Sequence, residues 1–185
     1  PSALEFARRR LPNAQWVESS VESLPFEKGS FHAGVCLDVL EHLPDERPAL
    51  NELRRVLDPH GIAIVAVPGW PSLFGSHDRA LGHQRRYSRR QLRQVLHETG
   101  FDILLLSSYN LFLAPAIFSF RLLHNRWGKE GETDVGRTPA WLDRPLGTIL
   151  SAERFFVDKL PLRGGISLMA IVRPTPETAT PLPWR

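Results

Sequence analysis

The sequence predicts an α/β domain built on a mainly parallel, Rossmann-like sheet. Two short segments, residues 31–37 (FHAGVCL) and 62–67 (IAIVAV), are almost wholly apolar, as strands covered on both faces are. Segments with helical periodicity lie between and after these strands. Buried strands that alternate with amphipathic helices are typical of a parallel sheet packed between helices. The length of 185 residues, 42% of them hydrophobic, is enough for one such domain.

The elements of the first half are bounded by residues that start or stop regular structure. Pro12 ends the first helix, and Asp45 is the predicted N-cap of the second helix. Residues 58–61 (DPHG) have the composition of a turn. The predicted elements are, in order, a helix at 3–11, a strand at 14–18, a polar loop at 20–30, the strand at 31–37, a helix at 46–57 and the strand at 62–67.

The second half is organised around one clear helix start. Ser88 and Gln91 form a capping box, and Gly100 is placed to end the helix that follows. A loop rich in Gly, Pro and aromatic residues precedes this helix. The other predicted elements are a strand at 101–107, helices near 110–124 and 140–159, a last strand at 165–173 and a Pro-rich tail at 174–185.

Composition excludes several classes of protein. The single cysteine, Cys36, excludes an intramolecular disulfide framework, and the net charge of +3 is too small for a polybasic protein. The longest run without a charged residue, 103–120, reads as a buried strand followed by an apolar helix rather than as a membrane span. We therefore expect a cytoplasmic protein.

Polar residues follow the predicted strands where an α/β sheet binds its ligands. Asp38, Glu41 and His42 come directly after the strand 31–37, and Ser20 and Glu22 lie in the loop before it. Ligands of open α/β sheets bind at the carboxyl ends of the strands. From position alone, two interpretations stay open: these residues bind a ligand, or they only cap and turn the chain.

The order of short motifs resembles the class I S-adenosylmethionine-dependent methyltransferases, and in particular the type 11 group. The matching elements are Leu24-Pro25-Phe26, Phe31-His32, Leu40-Glu41-His42, Arg55-Val56-Leu57, Pro59-His60-Gly61 and the strand 62–67. The resemblance implies the class I fold, S-adenosylmethionine as the cofactor, and methyl transfer as the activity. It also implies a partial domain over 1–173, with its core at 3–109, and an acceptor loop and C-terminal helices at 69–160.

The resemblance assigns cofactor contacts, but with two departures from the family. The implied cofactor-binding residues are Ser20, Val21, Glu22, Leu37 and Asp38. Ser20 stands where the family usually has an aspartate that reaches the adenine amino group, and a serine hydroxyl carries no charge. No Gly-x-Gly occurs in the chain, although the family binds the methionine part of the cofactor with a Gly-x-Gly-x-Gly loop. We therefore expect the first strands of the fold to be missing from this chain.

One cluster raises the question of a metal ion. Asp38, Glu41 and His42 are similar to the acid-x-x-Glu-His cluster of the ubiquinone-biosynthesis O-methyltransferases, which binds a divalent cation. In the broader family the Glu-His pair packs or orients the cofactor without metal. We predict no metal site. If the protein did bind a metal ion, Asp38, Glu41 and His42 would be its ligands.

The resemblance places the methyl acceptor at the loop 69–87. His77 and His83 of this loop, with His42, are the predicted catalytic histidines for an oxygen or nitrogen acceptor, and packing or surface roles are the alternative. The apolar residues of 110–123 and the arginines of 85–93 suit a small or lipid-like acceptor that can be anionic, unless carboxylates of the protein pair with those arginines.

Two other functions remain open from the sequence. One is a non-catalytic, methyltransferase-like binding domain, which Ser20 and His32 permit, because the resembled family usually has aspartate at both positions. The other is a module that associates with RNA or a membrane through its arginines. Few aromatic residues lie among those arginines, so we do not expect nucleic-acid binding, whereas peripheral membrane contact and the oligomeric state are left open.

Overall fold

The computed structural model describes residues 2–112 and 164–176, together with the isolated positions 114, 115, 118, 147 and 148. Its helices are α1 (Ser2–Arg10), α2 (Arg47–Val56), α3 (Ser76–Ala80) and α4 (Arg89–Glu98), and two single turns of 3-10 helix span Leu40–His42 and Pro71–Leu73. Its strands are β1 (Phe31–Leu37), β2 (Leu57–Pro68), β3 (Phe101–Tyr109) and β4 (Ser167–Pro174). The predicted helices near 110–124 and 140–159 and most of the tail lie outside the described residues.

The four described strands form one sheet in the order β1-β2-β4-β3. β1 pairs with β2 in parallel, whereas β4 runs antiparallel to both of its neighbours, β2 and β3. Three of the four described strands therefore point in the same direction within a mixed sheet, which confirms the predicted α/β, Rossmann-like fold class. Because β1, β2 and β3 share a direction, their carboxyl ends lie along one edge of the sheet, where the start of β4 also lies.

The core lies between this sheet and the helices α2 and α4. Its fully buried side chains include Leu50 of α2, Val65 of β2, Leu92 and Leu96 of α4, and Phe101 of β3. Burying each of these side chains contributes about 1.5–3 kcal/mol relative to leaving it in water. No helix among the described residues has the length and apolar character needed to cross a membrane.

The capping box that starts α4 is confirmed. The hydroxyl of Ser88 accepts a hydrogen bond from the backbone N–H of Gln91 at 3.2 Å, and the Gln91 side chain accepts one from the Ser88 N–H at 2.9 Å. Gly100 ends the helix region with a φ of +79°, in the left-handed region that glycine favours. α2 begins one residue later than predicted, because Glu46 rather than Asp45 is its N-cap, although Asp45 accepts a hydrogen bond from the Arg47 N–H at 3.1 Å.

Two predictions about strands in the N-terminal part are wrong. Residues 14–18 form no strand, because no described segment pairs with them to take up their backbone hydrogen bonds. β1 has the predicted bounds but is not buried on both faces: it lies at the edge of the described sheet, where Val35 is 66% exposed and Leu37 is 54% exposed. An apolar run identifies a strand, but only its neighbours decide how far it is buried.

The predicted turn at 58–61 is part of β2 instead. Leu57 pairs with Phe31 and Ile62 pairs with Ala33, so the residues between Leu57 and Ile62 bulge opposite a single residue of β1. Within the bulge, the Asp58 carboxylate accepts a hydrogen bond from the His60 N–H at 2.8 Å. The side chain-to-backbone hydrogen bond that is typical of a turn therefore forms, but within a bulge of β2 rather than between two separate elements.

Candidate functional site

Sharp turns of the chain mark the carboxyl edge of the sheet. Asp38, Trp70 and Asn110 are the non-glycine residues of the described part that adopt a positive φ, at +50°, +59° and +61°. Asp38 and Asn110 follow directly on β1 and β3, and Trp70 lies two residues after β2. A left-handed conformation costs a non-glycine residue about 1–2 kcal/mol, and such strain collects at functional sites. The site predicted from strand order is therefore also the strained edge of the fold.

Hydrogen bonds from the Gly69 backbone and the Trp70 side chain hold the loop after β2 against the segment that leads into β4. Gly69 donates its N–H to the carbonyl of Ile166 at 2.8 Å, and the indole N–H of Trp70 donates to the carbonyl of Gly165 at 2.9 Å. On the other side, the N–H of Tyr87 donates to the carbonyl of Pro68 at 2.8 Å. Both ends of the loop after β2 are thus fixed to strand ends.

The predicted cofactor residues fall in two places. Leu37 and Asp38 are exposed at the carboxyl end of β1. Ser20, Val21 and Glu22 form a turn, in which the Ser20 hydroxyl accepts a hydrogen bond from the Glu22 N–H at 3.2 Å. Part of the hydrogen-bonding capacity of Ser20 is therefore used within its own turn.

A clamp that the sequence analysis did not identify fixes the loop after this turn. The Arg55 guanidinium donates to the carbonyls of Leu24 and Phe26 at 2.9 and 2.8 Å, and the Glu52 carboxylate accepts from the Leu24 N–H at 2.8 Å. Glu52 and Arg55 also pair with each other at 2.7 Å. Their i, i+3 spacing on α2 is the signal that could have revealed this pair. Hydrogen bonds from Arg55 and Leu24 lower the pKa of Glu52 to about 2.

Two of the three predicted catalytic histidines lie together. One potential ligand or proton-binding atom from each of Glu41, His42 and His83 lies within 4.8 Å of those of the other two. The rings of His42 and His83 meet edge to face with centroids 4.7 Å apart. The backbone N–H of Gln84 also donates to the Glu41 carbonyl at 2.6 Å, which fastens the loop to the turn after β1. His77, the third candidate, lies in α3 and is not part of this cluster.

A buried carboxylate orients His83. The Oδ1 atom of Asp78 lies 3.0 Å from Nδ1 of His83 and accepts a hydrogen bond from Nε of Arg86 at 2.8 Å, while Oδ2 accepts from the Gly75 N–H at 3.0 Å. Burial opposes ionisation of Asp78, but Arg86, His83 and Gly75 together outweigh it and lower the pKa of this carboxyl. An ionised Asp78 can only accept, so Nδ1 of His83 donates this hydrogen bond, and in a neutral ring Nε2 is the nitrogen with the lone pair.

Glu41 is a fully buried acid without a hydrogen-bond partner for its carboxyl group among the described residues. Burial raises its pKa, and the charge of Asp38 adds to that effect, whereas its own backbone N–H and the neighbouring histidines oppose it. Buried carboxyl groups without partners are rare in folded proteins and indicate a functional or ligand-binding role.

The arginines near the acceptor loop are largely paired within the protein. Arg85 donates to the Glu46 carboxylate and to the carbonyl of Leu43, Arg86 binds Asp78, and Arg89 donates to the Ser108 hydroxyl at 3.2 Å. The remaining two arginines of the run, at positions 90 and 93, are exposed on α4. Pairing within the protein, the alternative raised by the sequence, thus accounts for three of the five.

The only cysteine does not form a nucleophilic centre. Burial raises the pKa of the Cys36 thiol to about 11, with smaller contributions from the charges of Glu41 and Asp38. The nucleophilic form of cysteine is the thiolate, and a pKa in this range leaves almost none of it at neutral pH. The chemistry of the edge therefore rests on histidine and carboxylate groups.

Comparison with known proteins finds similarity to methyltransferases. Residues 1–65 match the profile of a family described as a methyltransferase domain. An uncharacterized methyltransferase of Mycobacterium sp. (strain KMS) is 29% identical over 125 residues, which cover 61% of this chain and 50% of that protein. An uncharacterized 37.1 kDa protein of transposon TN4556 from Streptomyces fradiae is 30% identical over 174 residues, covering 83% of this chain and 49% of its own length.

Solved structures share the fold. The geranyl diphosphate C-methyltransferase of Streptomyces coelicolor A3(2), solved with Mg²⁺, geranyl diphosphate and S-adenosyl-L-homocysteine, superposes with a TM-score of 0.57 at 13% identity and covers 94% of this chain and 59% of its own. The chain spans about half the length of the first curated relatives it matches. In its N-terminal family match, its relatives and its fold, the chain is similar to the class I S-adenosylmethionine-dependent methyltransferases.

Proposed function

We propose that the protein transfers a methyl group from S-adenosylmethionine to an oxygen or nitrogen of a small or lipid-like acceptor. The observation that carries the proposal is the pair Asp78–His83 at the carboxyl edge of the sheet, where Nδ1 of His83 lies 3.0 Å from the buried carboxylate. The match of residues 1–65 to a methyltransferase domain and the named methyltransferase relatives support the cofactor and the reaction class. The apolar and aromatic character of the loop around Trp70 supports an acceptor that needs a water-excluding site.

The residues at the end of β1 fit a nucleoside cofactor. Asp38 offers an exposed carboxylate in a strained left-handed turn, and Leu37 beside it is an exposed apolar side chain. A carboxylate binds ribose hydroxyls or an adenine amino group, and an apolar side chain packs against the base. When bound, S-adenosylmethionine supplies a methyl group on a positively charged sulfur, which leaves as the neutral thioether of S-adenosylhomocysteine.

His83 is the residue best placed to accept the proton of the acceptor. A hydroxyl group must lose a proton as its oxygen forms the new bond to carbon, and an ammonium group must lose one before its nitrogen has a lone pair to attack; Nε2 of a neutral His83 can take either proton. Asp78 then stabilises the imidazolium that results, as a buried carboxylate does in other histidine-dependent enzymes. His42, against the His83 ring, restricts the rotation of that ring.

The test is turnover and cofactor binding by the full-length protein. We expect His83→Gln to lower kcat by about 10²–10⁴-fold, as loss of a general base does, without changing the Kd for S-adenosylmethionine. His60→Gln is the matched control, because His60 is an exposed histidine of the bulge in β2. Full turnover of His83→Gln on an oxygen or nitrogen acceptor would reject the role of His83.

The main alternative is a methyltransferase-like domain that binds partners without catalysis. The hydrogen bond of Ser20 within its own turn favours it, because that bond competes with adenine for the hydroxyl. Isothermal titration of S-adenosylmethionine separates the two functions. We expect binding that Asp38→Asn weakens; a full-length protein that binds no cofactor would favour the alternative. We further propose a cytoplasmic location, which cell fractionation tests.

A further inference from the structure

We propose that Glu41, His42 and His83 form a binding site for a divalent transition-metal ion such as Zn²⁺, and that the bound ion inhibits the enzyme. The inhibitory part rests on the proposed function, because it requires His83 to act as the base. The binding part stands on the geometry of the cluster alone.

The arrangement of the three side chains suits a single ion. One potential ligand atom from each residue lies within 4.8 Å of the other two, so small side-chain rotations bring all three to one centre. Two of the residues come from the turn after β1, and the third comes from the loop that the Gln84–Glu41 backbone hydrogen bond fastens to it. Three protein ligands leave the fourth position of a tetrahedral zinc ion open.

The unpartnered state of Glu41 is independent evidence for a ligand. Its carboxyl group is fully buried, and neither oxygen has a hydrogen-bond partner from another described residue. An ion is small enough to enter from the side of His42, which is exposed, while His83 is partly buried.

The surroundings of His83 have the organisation of a metal ligand. A histidine that binds a metal through one nitrogen usually donates the N–H of its other nitrogen to a carboxylate, which fixes the ring and strengthens the ligand. Asp78 provides that carboxylate, 3.0 Å from Nδ1 of His83, and Arg86 and Gly75 hold it in place. Nε2 is therefore the nitrogen left for the ion.

The types of ligand select the ion. Two imidazoles and one carboxylate suit Zn²⁺ and other ions of the later first transition series. Mg²⁺ prefers an all-oxygen octahedral shell, which this set does not provide. The site thus differs in ligands and in ion preference from the cluster of Asp38, Glu41 and His42 considered from the sequence.

Metal binding and proton transfer exclude each other at this site. The lone pair on Nε2 of His83 either takes the proton of the acceptor or binds the ion. A bound ion therefore blocks the base while leaving the end of β1 open to the cofactor. We expect Zn²⁺ to lower kcat without raising the Kd for S-adenosylmethionine.

The experiment measures binding directly before activity. Chelator-treated full-length protein is titrated with Zn²⁺ by calorimetry, and with Co²⁺ while its visible absorption is recorded. We expect one ion per chain and the intense absorption of tetrahedral Co²⁺. Glu41→Gln and His42→Ala should each weaken Zn²⁺ binding by at least tenfold, whereas the control His60→Ala should leave it unchanged. Circular dichroism confirms that each variant is folded.

The outcomes separate this proposal from the proposed function. Absence of stoichiometric Zn²⁺ binding, or an equal loss in His60→Ala and His42→Ala, would overturn the metal site and leave the role of His83 as base untouched. Stoichiometric binding without any fall in turnover would overturn the inhibition. If Zn²⁺ binds as expected but His83→Gln keeps full turnover, the base assignment fails while the metal site stands.

Discussion

The carboxylate of Asp78 contacts two side chains of its own loop at once: its Oδ1 atom lies 3.0 Å from Nδ1 of His83 and 2.8 Å from Nε of Arg86. Arg86 in turn donates to the carbonyl of Gly69 at 3.1 Å. One buried acid therefore joins the candidate base to the end of β2. The loop between β2 and α4 is a structured part of the fold whose conformation depends on this carboxylate.

Asp78→Asn should destabilise the protein strongly. The substitution leaves the Arg86 guanidinium buried with an uncompensated charge, since Arg86 is 3% and Asp78 is 0% exposed at the side chain. Breaking a buried ion pair from one side costs about 3–5 kcal/mol of the free energy of unfolding. Urea denaturation followed by circular dichroism measures this loss.

The matched control for this prediction is Asp45→Asn. Asp45 pairs with Arg47 at 3.5 Å, but both side chains are at least half exposed. Exposed ion pairs contribute only about 0–1 kcal/mol. Similar losses for Asp78→Asn and Asp45→Asn would contradict the structural role assigned to Asp78.

Local chemistry explains which parts of the fold could be predicted from sequence. The start of α4 was predictable because Ser88 and Gln91 are three residues apart and satisfy each other's backbone groups. The exposure of Val35 was not predictable, because the burial of a strand residue depends on the strands and helices beside it and not on the apolar run itself. The predicted bounds of β1 were right, but the prediction that β1 is covered on both faces was wrong.

At the candidate site, the separation of residues along the chain explains why the sequence did not predict the full cluster. Glu41 and His42 are adjacent in sequence and were identified together, but His83 reaches them only through the folding of the loop after β2. The sequence marked all three as candidates without indicating that they meet. From the sequence, His77 and His83 were equally good candidates for the catalytic base, but only His83 lies in the cluster with Glu41 and His42.

The Glu52–Arg55 clamp should make stability depend on pH in the acid range. The pKa of Glu52 falls from 4.5 to about 2 in the folded protein, so its contribution is complete above pH 4.5. As the pH drops through 4.5 towards 2, the unfolded state binds a proton first and the contribution is lost. The urea midpoint of the wild-type protein should therefore fall more steeply over this range than that of Glu52→Gln.

Glu27→Gln provides the control for the clamp. Glu27 is an exposed glutamate that follows the loop segment to which Arg55 donates its hydrogen bonds. Its replacement removes one carboxylate of the same type and should leave the pH dependence of the midpoint as in the wild type. Parallel curves for wild type and Glu52→Gln would show that the clamp does not contribute.

Ser88→Ala should destabilise the protein by about 1 kcal/mol, as loss of an N-cap does. The hydroxyl of Ser88 accepts from the Gln91 N–H, and alanine leaves that backbone group to water. Thermal unfolding measures the loss. Ser88→Asn should recover most of it, since asparagine also caps helices, and equal melting temperatures for Ser88→Ala and wild type would contradict the cap.

Gly69→Ala should disturb the carboxyl edge of the sheet through steric contact alone. A Cβ atom at position 69 would lie 2.7 Å from the carbonyl oxygen of Ile166, which is backbone and cannot rotate away. The ends of β2 and β4 must separate, at a cost of about 1–3 kcal/mol for overpacking. Gly147→Ala is the control, because a Cβ there meets nothing within 4 Å. Urea denaturation should show a lower midpoint for Gly69→Ala than for Gly147→Ala, whereas an unchanged midpoint for Gly69→Ala would show that the two strand ends are not packed as closely as described.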